Sequence, residues 1–235
     1  RDFKTNSIVA HHNYLSSQCR AKKLGRREIV QKSHGRCAET RKGIFALNDQ
    51  TQTKEVRAML REKAEAWIQM DPDETTRREL KELLESGDET ELRDRFRGRL
   101  SFGTAGLRGV MGAGPNRMNR LVIRQSARGL AEYLLKVNPA STELGVVVAY
   151  DGRLQSQKFA EDCACVLAAF GFKVHLSKGP LPTPICAYAL KAFGCAAGAM
   201  VTASHNPPEY NGFKVYWGNG AQIVPPHDTG ISDAI

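Results

Sequence analysis

The chain has 235 residues, is 41% hydrophobic and 25% charged, and carries a net charge of +9. That is the composition of a globular protein long enough to bury a real core, and no run reaches the roughly 18 apolar residues of a membrane span. The charge is uneven: residues 1–50 hold 11 Lys/Arg against 4 Asp/Glu, and residues 51–235 hold 23 against 21. The near-neutral body argues against nucleic-acid binding, which would rest on the tail alone.

The sequence begins at Arg1, which reads as a processed or incomplete chain. Residues 1–50 show no sustained periodicity and read as a disordered basic tail, with binding to acidic partners as the alternative. His11, His12 and His34 have no metal-ligand spacing. From Thr53 onward Val56, Leu60, Ala64, Trp67 and Ile68 fall on one helical face. "DPDETTRRELKELLESG" follows as a Pro-opened second helix that closes near Gly87. This helical appendage is taken as 51–97, and the main domain as 98–235.

In "LVIRQSARGLAEYLLKV", Ile123, Ala127, Leu130, Ala131 and Leu134 share a face, and Asn138-Pro139 ends the helix. "GVVVAY" (Gly145–Tyr150) is a continuous β-branched run, as expected for a strand covered on both faces. A helix follows with Phe159, Cys163, Val166, Leu167 and Phe170 on its stripe and Gly171 at its end. "FKVHLS" is a strand, "GPLPTP" a stiff loop leading to a short helix through Tyr188 and Leu190. "CAAGAMVTA" and "GFKVYW" are the last two strands. This alternation predicts an α/β fold, a three-layer α/β/α sandwich with a largely parallel mixed sheet.

The six cysteines, at 19, 37, 163, 165, 186 and 195, contain no Cys-x-x-Cys pair. Reduced thiols in a cytoplasmic protein are the simplest reading.

Ligands of such folds sit on loops beyond the carboxyl ends of strands. Two polar clusters fall there: Asp151-Gly152-Arg153 after "VVVAY", and Ser204-His205-Asn206 after "GAMVTA". The second lies in "TASHNPPEYNGFKVYW", whose Ser, Asn, Pro and Gly would by themselves make only a turn. A nucleophile elbow would need glycine two residues either side of Ser204, where Thr202 and Asn206 stand, so acyl hydrolysis is disfavoured. Phosphoryl transfer fits better, because it asks for placed cations, and Arg108, Arg153, His205 and Lys214 supply them. Lys214, on the strand leaving the loop, is placed to return its ammonium to Ser204, with a pKa lowered by burial and neighbouring cations. "SFGTAGLRGVMGAG" matches neither a P-loop nor a dinucleotide fingerprint, yet its glycines and Arg108 suit an anion.

"TASHNP" with "NGFKVYW", "FGTAGLRG" and "AYDGR" together resemble the first domain of the α-D-phosphohexomutases. The similarity is to the phosphoglucomutase branch that includes phosphopentomutases, and it runs from about Thr53 to Ile235. The resemblance implies a mutase that interconverts sugar 1-phosphates and 6- or 5-phosphates through a phosphoserine and a sugar bisphosphate. It implies Ser204 as phosphoryl carrier and, once phosphorylated, as a metal ligand. Lys214, His205 and Arg108 would complete the catalytic set, and Thr104, Arg108, Arg153, Asn206 and Lys214 would contact phosphate or substrate. It further implies Mg²⁺, glucose 1,6-bisphosphate as activator, a phosphosugar substrate, and later domains carrying the metal's aspartates and the sugar-recognition loops. The rival expectation is a non-catalytic α/β fragment whose basic tail binds acidic partners.

Overall fold

The computed structural model describes residues 54–103 and 106–235. The expected basic tail and Thr104 lie outside the described residues. Residues 54–235 form one compact unit.

Helix α1 (54–70) buries Leu60, Ala64, Trp67 and Ile68, the face its periodicity defines. Asp71 then staples the corner into α2 (Glu74–Ser86): its carboxylate accepts from the Asp73 N–H at 3.0 Å and the Thr76 hydroxyl at 2.7 Å. Asp73 caps α2 by accepting from the Thr75 N–H, and Gly87 ends it at φ 71, in the left-handed region that favours glycine. A third helix, α3 (Glu89–Phe96), follows, where the sequence pattern showed only a pair; it is short and has its own aspartate cap, Asp88. Leu80 of α2 and Leu92 of α3 belong to the same buried cluster as the sheet, so these helices enlarge the core.

The sheet has five strands in the order β1-β5-β4-β2-β3. They are β1 (Leu107–Val110), β2 (Val146–Tyr150), β3 (Val174–Leu176), β4 (Ala197–Val201) and β5 (Tyr210–Trp217). The βαβ crossovers make β3, β2 and β4 parallel, whereas β5 pairs antiparallel with β4, and β1 with β5. β1 comes from the glycine-rich segment around Arg108, for which the sequence pattern showed no strand.

Helices cover both faces, giving the expected three layers. Val146, Val148, Ala197, Ala199, Phe213 and Val215 meet α4 (Arg120–Val137), α6 (Ser156–Ala169) and α8 (His227–Ala234). Val147, Ala149, Met200 and Tyr216 meet Cys186 and Leu190 of α7 (Thr183–Phe193). α5 (Ser141–Leu144) is a single turn between α4 and β2. Asn119 starts α4: its Oδ1 accepts from the Val122 N–H at 3.0 Å while its amide binds the carbonyls of Gly112 and Gly114. Ile123, Ala127, Leu130, Ala131, Leu134, Phe159 and Leu167 are fully or almost fully buried, and each large one contributes about 1.5–3 kcal/mol. Asp162, a buried carboxylate of α6, is held by Arg120 and Arg124 at 2.6 Å each.

Candidate active site

The parallel strands β2 and β4 end side by side, and their carboxyl ends carry the two polar clusters. After Val201 the chain turns through Thr202–Glu209 and returns as β5, so the serine loop is the hairpin between two core strands. Ser204 sits at its tip with φ 56, a left-handed conformation uncommon for any residue but glycine. The buried Thr202 stabilises it: Thr202 Oγ1 accepts from the Ser204 N–H at 2.9 Å. The Ser204 side chain is thereby presented to solvent.

Lys214 reaches it from β5. Its ammonium donates to Ser204 Oγ at 2.7 Å across ten residues of sequence. Lys214 is opposite Met200 of β4, and Arg108 of β1 is opposite Gly212, two residues before Lys214. Side chains alternate along a strand, so Arg108 and Lys214 leave the same face. Arg108 donates to Asn206 Oδ1 at 2.9 Å, which puts a second cation on the serine loop. Burial holds the Lys214 pKa below its ordinary value, the Arg108 charge lowers it further, and Asp151 opposes the shift. His205, next along the loop, is exposed.

Two glycines permit this convergence. A Cβ on Gly212 would stand 2.6 Å from the Thr202 carbonyl oxygen and 2.8 Å from that of Leu107. At Gly106, with φ 76, it would run into the Phe213 carbonyl. β1, β5 and the serine loop therefore approach as closely as backbone can.

Arg153, expected as a phosphate contact, is engaged with the backbone of the serine loop. Its Nη1 donates to the carbonyls of Pro207 at 2.9 Å and Tyr210 at 3.2 Å, and its Nη2 to those of Ser204 at 2.8 Å and Asn206 at 2.6 Å. Its Nε lies 3.4 Å from Asp151 Oδ2. The four Nη–H donors of the guanidinium are thus taken up by carbonyls of the serine loop and the start of β5. Behind it, Asp151 Oδ1 accepts from the Arg153 N–H at 3.1 Å and the Ser156 hydroxyl at 2.8 Å. Asn211, fully buried, donates to that hydroxyl and to the Leu154 carbonyl, both at 3.0 Å. Thr202, Ser156 and Asn211 were not singled out from sequence; the only visible signal was Thr at two residues before the serine.

Asp151, Gly152, Arg153, Leu154, Ser204, Asn206 and Pro208 surround an open depression of about 470 Å³. Among the described residues no three His, Cys, Asp or Glu side chains are grouped to hold a metal. Asp151, at the end of β2 beside the loop, is already engaged by Arg153 and Ser156. Mg²⁺ normally needs more oxygen donors than one serine supplies, so these residues do not by themselves fit the ion that the resemblance implies.

Residues 99–235 match the family described as "Phosphoglucomutase/phosphomannomutase, alpha/beta/alpha domain I". The chain is 46% identical over 177 residues to the "Probable phosphoribomutase" of Schizosaccharomyces pombe, which covers 75% of this chain and 30% of that protein. It is 42% identical over 184 residues to the phosphopentomutase of Mus musculus, covering 76% and 30%. A solved structure of a Thermus thermophilus protein assigned to the phosphomannomutases superposes with a TM-score of 0.53 at 34% identity, covering 59% of this chain and 30% of that one. The chain thus spans about 30% of the length of the curated relatives it matches. Through its α/β/α first domain, the chain belongs to the phosphoglucomutase/phosphomannomutase family, the α-D-phosphohexomutases.

Proposed function

We infer that this chain is the phosphoserine-bearing part of a phosphosugar mutase that interconverts a sugar 1-phosphate with its 5- or 6-phosphate. One observation carries the reading: Lys214 Nζ and Ser204 Oγ are 2.7 Å apart on a loop that presents the serine to solvent.

Ser204 is the phosphoryl carrier. In the forward half, a hydroxyl of the sugar phosphate attacks the phosphorus, the Oγ–P bond breaks, and Oγ takes a proton from Lys214. The attacking hydroxyl's proton returns to Nζ, so the products are a sugar bisphosphate and a neutral serine. In the return half, Ser204 attacks the other phosphate, the bond from that phosphorus to the sugar oxygen breaks, and the Ser204 proton passes by way of Lys214 to the leaving oxygen, so the sugar departs as the isomeric monophosphate. A lysine of lowered pKa suits both halves, because it must give and accept a proton near neutral pH. Arg108 adds positive charge where the transferring group spreads its negative charge over equatorial oxygens. His205 flanks the phosphoserine on this reading, and Asn206, fixed by Arg108, is a substrate or phosphate contact.

A sugar bisphosphate, with glucose 1,6-bisphosphate as the hexose case, loads the serine and is the activator. The acidic ligands of Mg²⁺ and the loops that choose the sugar belong to the remainder of the mutase. The relatives named for ribose and pentose phosphates favour a pentose over a hexose substrate. A cytoplasmic location agrees with the unpaired thiols of the four described cysteines.

The test is turnover by the full-length parent protein, with ribose 1-phosphate and glucose 1-phosphate assayed side by side in the presence of the matching bisphosphate. Formation of the 5- or 6-phosphate, lost in Ser204→Ala, is the expected result. Undiminished turnover in Ser204→Ala would remove Ser204 from the reaction.

A further inference from the structure

The carbonyl oxygens of Ser204, Asn206, Pro207 and Tyr210 converge on one point inside the serine loop, and Arg153 occupies it. Four inward-facing acceptors repel one another and require a donor-rich cation between them. The loop's own backbone meets the Pro207 carbonyl, through the Tyr210 N–H at 3.0 Å, but Pro207 and Pro208 have no N–H to offer the others. A planar guanidinium with donors on two edges matches the arrangement, whereas a lysine ammonium offers at most three donors from one point.

The clamp acts on Ser204 in particular. With the Ser204 carbonyl turned to Arg153 and its N–H turned to Thr202 Oγ1, both peptide groups flanking the residue are fixed. That is what holds a non-glycine residue at φ 56, a conformation that persists only where its surroundings over-determine it. The position of Oγ relative to Lys214 and Arg108 follows from that backbone.

Arg153 is itself anchored from outside the loop. Asp151 faces its Nε, Ser156 ties Asp151 to the start of α6, and Asn211 ties Ser156 to β5. The side chain is 16% exposed, so it is packed as well as hydrogen-bonded. The chain of contacts thus runs from the end of β2 through α6 to β5, and it locks the two ends of the hairpin to one scaffold.

Resting on the phosphoserine reading of Ser204, we propose that Arg153 is a positioning residue for that serine: its guanidinium sets the left-handed backbone of the loop and hence the Ser204–Lys214 geometry, and it does not bind substrate phosphate. A positioning residue of this kind governs the chemical step and leaves substrate affinity nearly unchanged.

The experiment compares wild type, Arg153→Ala, Arg153→Lys and Ser204→Ala in the full-length parent protein, each with kcat, KM, thermal midpoint and the rate of serine phosphorylation by glucose 1,6-bisphosphate. Arg153→Ala is expected to lower kcat and the phosphorylation rate by about 100-fold, the scale of a misplacement of about 1 Å, with KM for the sugar phosphate within about threefold of wild type. Guanidinium ion added to Arg153→Ala is expected to recover part of kcat, and Arg153→Lys, which keeps the charge without the fork, to stay impaired. A raised KM with kcat retained would overturn the proposal in favour of a phosphate ligand. Equal activity in Arg153→Lys and wild type would also overturn it, and that variant keeps the test open if Arg153→Ala does not fold. Failure of the phosphoserine reading is distinguished by Ser204→Ala alone, which would then turn over normally whatever Arg153 does.

Discussion

Lys214 Nζ donates to Ser204 Oγ at 2.7 Å because β4 and β5 are antiparallel neighbours whose register sets Lys214 against Met200, four residues before Ser204. The hairpin, and not any local property of the serine loop, brings the two groups together. The same register places Gly212 between Thr202 and Leu107, so one strand aligns both halves of the site.

This relationship predicts a trade between stability and activity at Lys214. Burial and Arg108 lower its pKa in the folded chain, so below that pKa the folded state holds the charged form at a disadvantage relative to the unfolded chain. Between the lowered value and the ordinary 10.5 the unfolded state binds more protons, and stability rises with pH. Lys214→Met removes this term. It is expected to raise the thermal midpoint at pH 7, with an advantage that shrinks toward pH 10.5. Turnover of the full-length protein is expected to fall by roughly 10²–10⁴-fold, the usual contribution of a positioned acid–base group. Thermal melts across the pH range, read beside kcat, check both halves.

Gly212→Ala is expected to destabilise by about 1–3 kcal/mol, since the added methyl meets two backbone carbonyls that cannot move without parting β1 from the serine loop. Activity should fall as well, because Arg108 and Ser204 lie on the two sides being forced apart. Urea unfolding of this chain measures the first effect, and a Gly212→Ala variant as stable as wild type would contradict it.

Much of this architecture is readable in the sequence, and the readable parts share a cause. Ile123, Leu130 and Leu134, or Phe159, Cys163 and Leu167, recur with the helical period because one face of each helix meets the sheet. Ser204 and Lys214 are recognisable because they flank the turn between two apolar runs. β1 is hidden: Leu107-Arg108-Gly109-Val110 is only four residues long and holds a glycine and a charge, and such a strand looks like a connector. The engagement of Arg153 with the serine loop is hidden for a different reason. Its partners are backbone carbonyls of residues 51 to 57 positions later, and side-chain identity does not encode where a carbonyl points.

Asp162 of α6 is almost wholly buried, with Arg120 and Arg124 of α4 holding its carboxylate. Removing a buried partner typically costs about 3–5 kcal/mol, and the partial exposure of Arg124 puts Asp162→Asn toward the low end of that range. The loss should appear in chemical denaturation, with KM of the full-length protein unchanged. A raised KM would instead link α6 to the substrate.

The central claim is that Ser204 carries the phosphoryl group, and one measurement reaches it most directly. The full-length parent protein is incubated with glucose 1,6-bisphosphate, and its mass and proteolytic peptides are read before and after addition of the sugar monophosphate. A single phosphoryl adduct on the peptide containing Ser204, discharged by the monophosphate and missing from Ser204→Ala, is the predicted result. An adduct on another residue that persists in Ser204→Ala, or catalytic turnover with no adduct at all, would contradict the account.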